Sequence, residues 1–330
     1  MLSYFGARRG PMVQPARAGC NANSATAPAR HRVSASLRLP LPIMPNTTSL
    51  PDTASVTTYV TTTSALPPGR VFDVDCLLAY QLAGTSDFLF QIHALNGRDQ
   101  EVLSESLIIT PPLALHVYQD PTEHHRFVRL HADAGSFQLH YRAQVRRTPE
   151  PVDLNAAEVP IADLPDAVLH HLMPTRYCES DLLSHAAQKM FGGGAPGYAR
   201  VAAICDWIYA NIDYKVGATI ATTTARDVFT QRAGVCRDFA HLGVTFCRAL
   251  NIPARLVVGH SRFDTPPPDF HAVFEAYLGG RWVLFDATRM SPLDGLVRIA
   301  SGRDAKDVAF ATIFGPAVMT SMSPLVQELA

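Results

Sequence analysis

A Gly279-Gly280 pair separates two segments of β-type sequence and constrains the fold more than any other feature of the chain. The two segments are Phe270–Leu278 and Arg281–Ala287. A Gly-Gly pair in this setting is typical of a two-residue hairpin turn, because glycine tolerates the positive φ values that such a turn requires. The turn places the residues on either side of it opposite each other, and this pairing fixes the register of both strands.

The predicted register brings His271 and Asp286 to the same face of the hairpin, in diagonal positions. Diagonal neighbours lie about 7–8 Å apart at the backbone, which is within reach of a histidine–aspartate hydrogen bond. A register shift of one residue would move one of the two to the opposite face. We expect the opposite, apolar face to pack on the core and the His271 face to look toward the helix after Cys236. The apolar face carries Ala272, Phe274, Ala276, Val283, Phe285 and Ala287.

Cys236 is predicted to stand at the start of a helix that runs to about Leu250. A short helix before it is predicted to end at Gly234. The unpaired N–H groups and the dipole at a helix start favour an anion, and they lower the pKa of a cysteine placed there. A lone cysteine at such a position is more often structural than reactive, so the thiol by itself decides little. Asp238, two residues on, is interpreted as a cap, as a solvent-facing carboxylate or as a residue that orients this loop.

His271 and Asp286 change the interpretation of Cys236, because together the three residues make a complete set for nucleophilic catalysis. The imidazole would take the thiol proton, and the carboxylate would hold the ring tautomer and stabilise its charge. The thiolate would attack an amide carbonyl and form a thioester as the amine leaves. The backbone N–H of Cys236 is the natural first donor to the oxyanion.

The remainder of the second half reads as mixed helix and strand. The apolar period becomes helical from Ala157 onward, after a Pro-rich break at residues 148–151. Loops follow Gly192 and surround Pro266-Pro267-Pro268. The predicted elements are helices over Leu164–Met173, Asp181–Phe191 with Ser180 as N-cap, and Tyr198–Tyr214, a short helix opened by the capping box Thr224–Asp227, and a strand over Arg255–His260.

Residues 71–147 contain six short β segments rich in β-branched and aromatic residues, separated by turn formers. Their number and spacing predict an antiparallel β-sandwich. The sequence therefore predicts an α+β fold with a β-sandwich domain over residues 69–148 and a thiol domain over residues 149–330. The predicted strands are Val71–Gln81, Phe88–Ala94, Glu101–Thr110, Leu113–Gln119, Arg126–Ala132 and Ser136–Arg146.

Residues 1–68 lack periodicity, and the first 51 contain six arginines and no Asp or Glu. We interpret residues 1–68 as a disordered or low-complexity extension. A translation start at Met44 would exclude residues 1–43 from the native protein. An Arg- and Ser-rich segment without acidic residues is also typical of an organelle transit peptide, which stays as the alternative.

Composition narrows the range of partners. The net charge of −1 and the absence of a basic patch interleaved with aromatics argue against nucleic acid. The sequence contains no run of about 18 apolar residues, so we predict no membrane span. The six cysteines form no C-x-x-C pair and no zinc spacing, so we predict no metal, no cofactor and a reducing compartment such as the cytoplasm.

Several segments around the three candidate residues resemble the transglutaminase-like core of the papain-like cysteine enzymes. More narrowly, they are similar to bacterial transglutaminase-like proteins provisionally described as cysteine proteases, over about residues 70–315. The order Cys, His, Asp along the chain is that of the family, whereas Val273 and Ala287 replace a frequent Trp and Pro. The segments are Tyr177–Asp181, Thr224–Arg255, Asp269–Ala272, Trp282–Thr288 and Arg298–Ala305.

The resemblance implies catalytic roles for Cys236, His271 and Asp286, and a contribution of Tyr214 to the oxyanion site. It implies a papain-like, transglutaminase-like α+β core and a peptide or protein amide as substrate. With water as acceptor the enzyme would be a cysteine peptidase or amidase, and with an amine it would be a transglutaminase that forms isopeptide bonds. A peptide-binding or scaffolding module with an idle triad stays as a different class of function. An acetyltransferase-like activity would need a coenzyme pocket, of which the sequence carries no sign.

Overall fold

A computed structural model describes residues 57–60, 69–97, 99–121, 124–148, 150–263 and 269–329 of the chain. Within the predicted extension, Thr57–Val60 forms a short strand, β1, and the rest of residues 1–68 lies outside the described residues. The predicted loop at Pro266-Pro267-Pro268 also lies outside them. No helix in these ranges combines the length and the apolar character that a membrane span requires.

The N-terminal region forms two antiparallel, open sheets, which confirms the predicted β-rich architecture. In β2 alternate side chains are buried, as expected of a strand with one face on a core. Tyr80 of β2 packs against Phe88 of β3 and Phe137 of β7, with ring centroids 5.2 and 5.3 Å away, so aromatic side chains join the two sheets. The strands are β2 Arg70–Leu82, β3 Ser86–Phe90, β4 Gln100–Thr110, β5 Leu115–Gln119, β6 Arg126–Ala132 and β7 Gly135–Arg147.

The second half places one central helix against a four-stranded antiparallel sheet. The helix α5 is buried along its whole length from Cys236 to Arg248, and it contacts three other α-helices and three strands. The helices are α1 Asp166–Leu169, α2 Ser180–Phe191, α3 Tyr198–Asn211, α4 Ala225–Gln231 and α5 Cys236–Ala249. The strands are β8 Asp213–Tyr214, β9 Ala233–Gly234, β10 Ala254–His260, β11 His271–Leu278, β12 Arg281–Phe285 and β13 Val297–Gly302, and the sheet order is β12-β11-β10-β13.

The last two strands return to the N-terminal sheets. Strand β14, Ala311–Phe314, pairs with β3, and strand β15, Ala317–Leu329, pairs with β2 along nearly its whole length. The boundary between residues 148 and 149 stays a prediction. The pairing nevertheless shows that the chain after residue 311 builds the β-rich region rather than the thiol region.

Three helix boundaries differ from the sequence-based prediction. The segment predicted as one helix over Leu164–Met173 contains α1 and a separate 3₁₀ turn at His170–Leu172, because only eight residues lie between Pro165 and Pro174. Ser180 is the first helical residue of α2, and Glu179 occupies the N-cap position. Helix α3 ends at Asn211, since Asp213 and Tyr214 leave the helix to pair with β9.

The short helix before Cys236 also ends earlier than predicted. Thr224 and Asp227 do form the capping box that opens α4. The helix stops at Gln231, and Arg232 takes the left-handed conformation with φ 59°. Gly234 does not end the helix, because it pairs with Tyr214 in a parallel two-stranded bridge.

Candidate active site

The N-terminus of α5 is organised by a buried carboxylate. Asp238 is fully buried and accepts a hydrogen bond of 2.9 Å from the backbone N–H of Val235, the N-cap residue. It also accepts from the Arg237 guanidinium at 2.8 Å and from the Thr219 hydroxyl at 2.5 Å. A Cβ on Gly234 would lie 2.7 Å from Cβ of Asp238, so only glycine fits beside this carboxylate. The interpretation of Asp238 as solvent-facing is therefore wrong, and the cap is correct.

Cys236 is the first residue of α5. It directly follows Val235, whose backbone N–H is hydrogen-bonded to Asp238. Its side chain is buried, and Sγ lies 3.9 Å from the carbonyl oxygen of Phe270, the residue before β11. The start of the helix and the start of the strand are thus adjacent. The thiol faces the first residues of β11.

His271 and Asp286 form the hydrogen bond that the hairpin register predicts. The observed pairs Leu278–Arg281 and Phe274–Phe285 are those of a two-residue turn. Nε2 of His271 lies 2.9 Å from Oδ2 of Asp286, and since a carboxylate only accepts, the ring carries its proton on Nε2. The other carboxylate oxygen accepts from the backbone N–H and hydroxyl of Thr288 at 2.8 and 2.7 Å, which holds Asp286 in place.

The second nitrogen of the His271 ring is directed to the thiol. Nδ1 is buried and has no hydrogen-bond partner among the described residues. Burial disfavours the charged ring, but the hydrogen bond to Asp286, the interaction with Cys236 and their negative charges outweigh it and raise the pKa of His271 to about 10. The same contact with His271 holds the pKa of Asp286 below its usual value despite burial. The pair therefore favours imidazolium beside carboxylate.

The helix α5 covers a different face of the hairpin from the one expected. The apolar face packs on the core as predicted, and that core is α5 itself: a Cβ on Gly243 would lie 2.5 Å from the ring of Phe274. The face with His271 and Glu275 looks away from α5 along most of its length. His271 still reaches the thiol because it is the first residue of β11, next to the first residue of α5.

Tyr214 lies next to Cys236 because its strand pairs with Gly234, two residues before the thiol. Its ring packs on Phe239 of α5 at 5.8 Å between centroids. Burial and the nearby charge of Cys236 raise the pKa of Tyr214 well above its ordinary value. A hydrogen bond between the backbone N–H of Cys236 and the same hydroxyl lowers this pKa, but by less. The phenol therefore stays neutral and remains a hydrogen-bond donor at the thiol.

The sequence analysis missed Arg237 and Thr219 as parts of this site. Besides Asp238, the buried Arg237 guanidinium donates to the hydroxyl of Thr219 and to the carbonyl of Ile220, and so ties the loop before α4 to the residue after the thiol. A signal for Asp238 existed, since a carboxylate three residues after an N-cap is the usual capping position. No local pattern pointed to Thr219, because its contact closes a loop of 18 residues.

Comparisons with known proteins identify the family to which this fold belongs. A model of the transglutaminase-like superfamily matches residues 184–287, and a model of the bacterial transglutaminase N-terminal domain matches residues 71–167. A crystal structure from Cytophaga hutchinsonii, provisionally described as a cysteine protease, is 43% identical, covers 83% of this chain and 93% of that chain, and superposes with a TM-score of 0.77. The chain belongs to the transglutaminase-like superfamily.

Curated relatives of this transglutaminase-like chain come from mycobacteria and are uncharacterised. A protein of Mycobacterium leprae is 30% identical over 145 residues, which is 42% of this chain and 52% of that protein. A protein of Mycobacterium tuberculosis is 30% identical over 115 residues, or 31% of this chain and 37% of that protein. The chain thus spans about half the length of these relatives, or less.

The charge of the His271 ring makes one prediction. Since the pKa of His271 is raised, the ring should stay charged as pH rises past the ordinary value of about 6.5 and lose its proton only near pH 10. Histidine NMR of the ¹⁵N-labelled protein measures this titration. Cys236→Ala removes the contribution of the thiol and should lower the pKa, whereas Asp286 still holds it above 6.5. A wild-type ring that titrates near 6.5 would contradict the arrangement.

Proposed function

We propose that this transglutaminase-like protein transfers acyl groups from amide or peptide bonds through a thioester on Cys236, with water as the acceptor. The reaction class is that of a cysteine peptidase or amidase. The substrate is a peptide or protein, in line with the protease description of the relative from Cytophaga hutchinsonii.

In the proposed mechanism, His271 takes the thiol proton on Nδ1, and Asp286 stabilises the resulting imidazolium through Nε2. The thiolate adds to the amide carbonyl, whose oxygen takes the negative charge. As the C–N bond breaks, His271 returns the proton to the leaving amine, and the acyl group stays on Cys236 as a thioester. Water then adds to the thioester with His271 as base, and the carboxylic acid leaves with the thiol restored.

One observation carries this proposal. The two ring nitrogens of His271 divide between two partners, since Nε2 is bonded to Asp286 at 2.9 Å while Nδ1 is buried, unpaired and directed to Cys236. A buried polar atom without a partner is costly, and proton exchange with the neighbouring thiol is a role that would account for it. We assign the oxyanion donors to the backbone N–H of Cys236 and the neutral hydroxyl of Tyr214.

The acyl intermediate tests the proposal directly. The protein is incubated with cell lysate, quenched in acid and digested, and the peptide that contains Cys236 is examined by mass spectrometry for an added acyl group. We expect an adduct that hydroxylamine removes and that is absent in Cys236→Ala and in His271→Ala. Absence of any hydroxylamine-sensitive adduct from the wild-type peptide, while iodoacetamide still labels the thiol, would contradict the proposal.

The acceptor is tested separately with a fluorescent primary amine. A dansyl-labelled diamine added to the lysate becomes attached to proteins if amines accept the acyl group, as in a transglutaminase. We expect release of free carboxylate and no stable attachment of the dansyl group. Attachment that depends on Cys236 would replace the hydrolytic assignment by isopeptide formation and leave the thioester step in place.

A peptide-binding module with an idle triad is the function of another class that the sequence left open. It is distinguished by thiol reactivity, because a binding module needs no activated cysteine. Labelling of Cys236 by iodoacetamide that is slow at pH 6 and unaffected by His271→Ala would favour the binding module.

A further inference from the structure

A cavity of about 670 Å³ opens on one face of the four-stranded sheet β12-β11-β10-β13, here called the thiol-region sheet. This is the face that α5 does not cover. The cavity lies between the β11–β12 hairpin and the residues that precede β4, and neither Cys236 nor His271 lines it. Its volume falls within the range typical of sites for small organic molecules. The cavity is therefore a candidate binding site separate from the thiol.

A network of buried and half-buried charged side chains forms the floor of this cavity. Glu275, with 2% of its side chain exposed, binds Nε of Arg255 at 2.7 Å and also binds the guanidinium of Arg298. Asp99 lies 3.6 Å from Arg298 and 3.0 Å from Nη2 of Arg147. Three guanidinium groups thus share two carboxylates within this network.

The other charged side chains of the lining bring its formal charges into balance. Asp294 is paired with Arg70, whose guanidinium also binds Glu328. Glu150 lies 3.6 Å from Arg281 on the rim. The described lining therefore holds four arginines and four carboxylates, and an anion would be selected by unpartnered donors of the Arg255, Arg298 and Arg147 group rather than by net charge.

Donors of the same group have no partner. Nη1 of Arg147 is buried, with 2% of the side chain exposed, and makes no hydrogen bond within the described residues. Cζ of Arg255 lies over the ring of Trp282, 4.2 Å from its centroid, and of the guanidinium nitrogens only Nε is engaged among the described residues. Its two terminal nitrogens are held in a fixed orientation by the ring and by Glu275. Donors fixed in this way fit the two oxygens of a carboxylate.

The walls supply apolar surface beside these donors. Trp282, Tyr277, Leu284 and Leu293 line the cavity next to Arg255. A flat apolar body can pack there while its acid reaches the guanidinium groups, and burial of its apolar surface favours binding. We propose that this cavity binds a small aromatic carboxylate. The guanidinium groups of Arg255 and Arg147 would hold the carboxylate, and the aromatic ring would pack against Trp282.

The test compares an acid with its neutral amide. 4-Phenylbutyrate and 4-phenylbutyramide have the same ring and chain, and they are titrated by calorimetry into the full-length protein. We expect the acid to bind at least tenfold more tightly than the amide. Binding of neither compound at millimolar concentration, or equal binding of both, would overturn the proposal without any variant.

Variants locate the site. Arg255→Met should remove the preference for the acid, whereas Arg226→Met, at an exposed arginine of α4 outside the cavity, should keep it. Trp282→Leu leaves the charges intact and should weaken acid and amide alike. If Arg255→Met does not fold, the Trp282→Leu result decides, and unchanged binding of both compounds in that variant would place the site elsewhere and refute the assignment.

Discussion

His271→Ala is expected to remove the ability of Cys236 to react with iodoacetamide at low pH. In the proposed mechanism His271 takes the proton of the thiol, so the alkylation rate of the wild type should fall much less between pH 8 and pH 6 than that of the variant. Without the imidazole the thiol has no neighbouring base to take its proton, so the rate in the variant should drop steeply from pH 8 to pH 6. Stopped reactions analysed by mass spectrometry of the Cys236 peptide measure both profiles.

Tyr214→Phe is the matched control for this experiment. It removes a hydroxyl beside the same thiol, keeps the ring that packs on Phe239 and leaves the His271 contact in place. Its alkylation profile should follow the wild type, while thioester formation slows, because the hydroxyl is assigned to the oxyanion and not to the proton transfer. A His271→Ala profile parallel to that of the wild type would show that the thiol is not activated by the ring. General base catalysis typically contributes 10²–10⁴-fold, so turnover should fall accordingly in His271→Ala.

The hairpin and its His271–Asp286 bond could be predicted from the sequence because turn chemistry and strand alternation act locally. A two-residue turn sets the register, and parity then assigns each side chain to a face. The position of α5 could not be predicted in this way. The apolar face of β11 indicates that another element packs on it, but it does not identify that element. The packing of α5 on this face depends on the close fit of Gly243 against Phe274, which the residue pattern does not reveal.

The parts of the site that escaped sequence analysis depend on contacts distant in the chain. Thr219 meets Arg237 only after the loop before α4 folds back, and Asp99 meets Arg298 only when the β-rich region docks on the thiol-region sheet. Part of the docking is made by backbone groups, such as the bond of 3.0 Å from Leu95 N–H to the carbonyl of Arg298, which leave no trace in the residue pattern. The return of β15 to β2 is of the same kind.

Asp238→Ala is expected to destabilise the protein by about 3–5 kcal/mol, the usual cost of removing one partner from a buried ion pair. Asp238 is fully buried, and its loss leaves the Arg237 guanidinium, with 5% of its side chain exposed, without a carboxylate. The backbone N–H of Val235 and the hydroxyl of Thr219 lose their acceptor at the same time. Such a loss is a large part of the 5–15 kcal/mol that a domain typically has. Urea unfolding measures the difference in free energy.

Asp227→Ala provides the comparison that separates the buried pair from simple helix capping. Asp227 caps α4 as Asp238 caps α5, with a bond of 3.0 Å from the backbone N–H of Thr224, but Asp227 is exposed. Its removal should cost about 1 kcal/mol, the usual value of a cap. Equal costs for the two variants would mean that Arg237 finds water or another acceptor when Asp238 is lost. A larger cost for Asp238→Ala, together with slower alkylation of Cys236 in the fraction that stays folded, would establish that this carboxylate sets the position of the thiol and does more than end a helix.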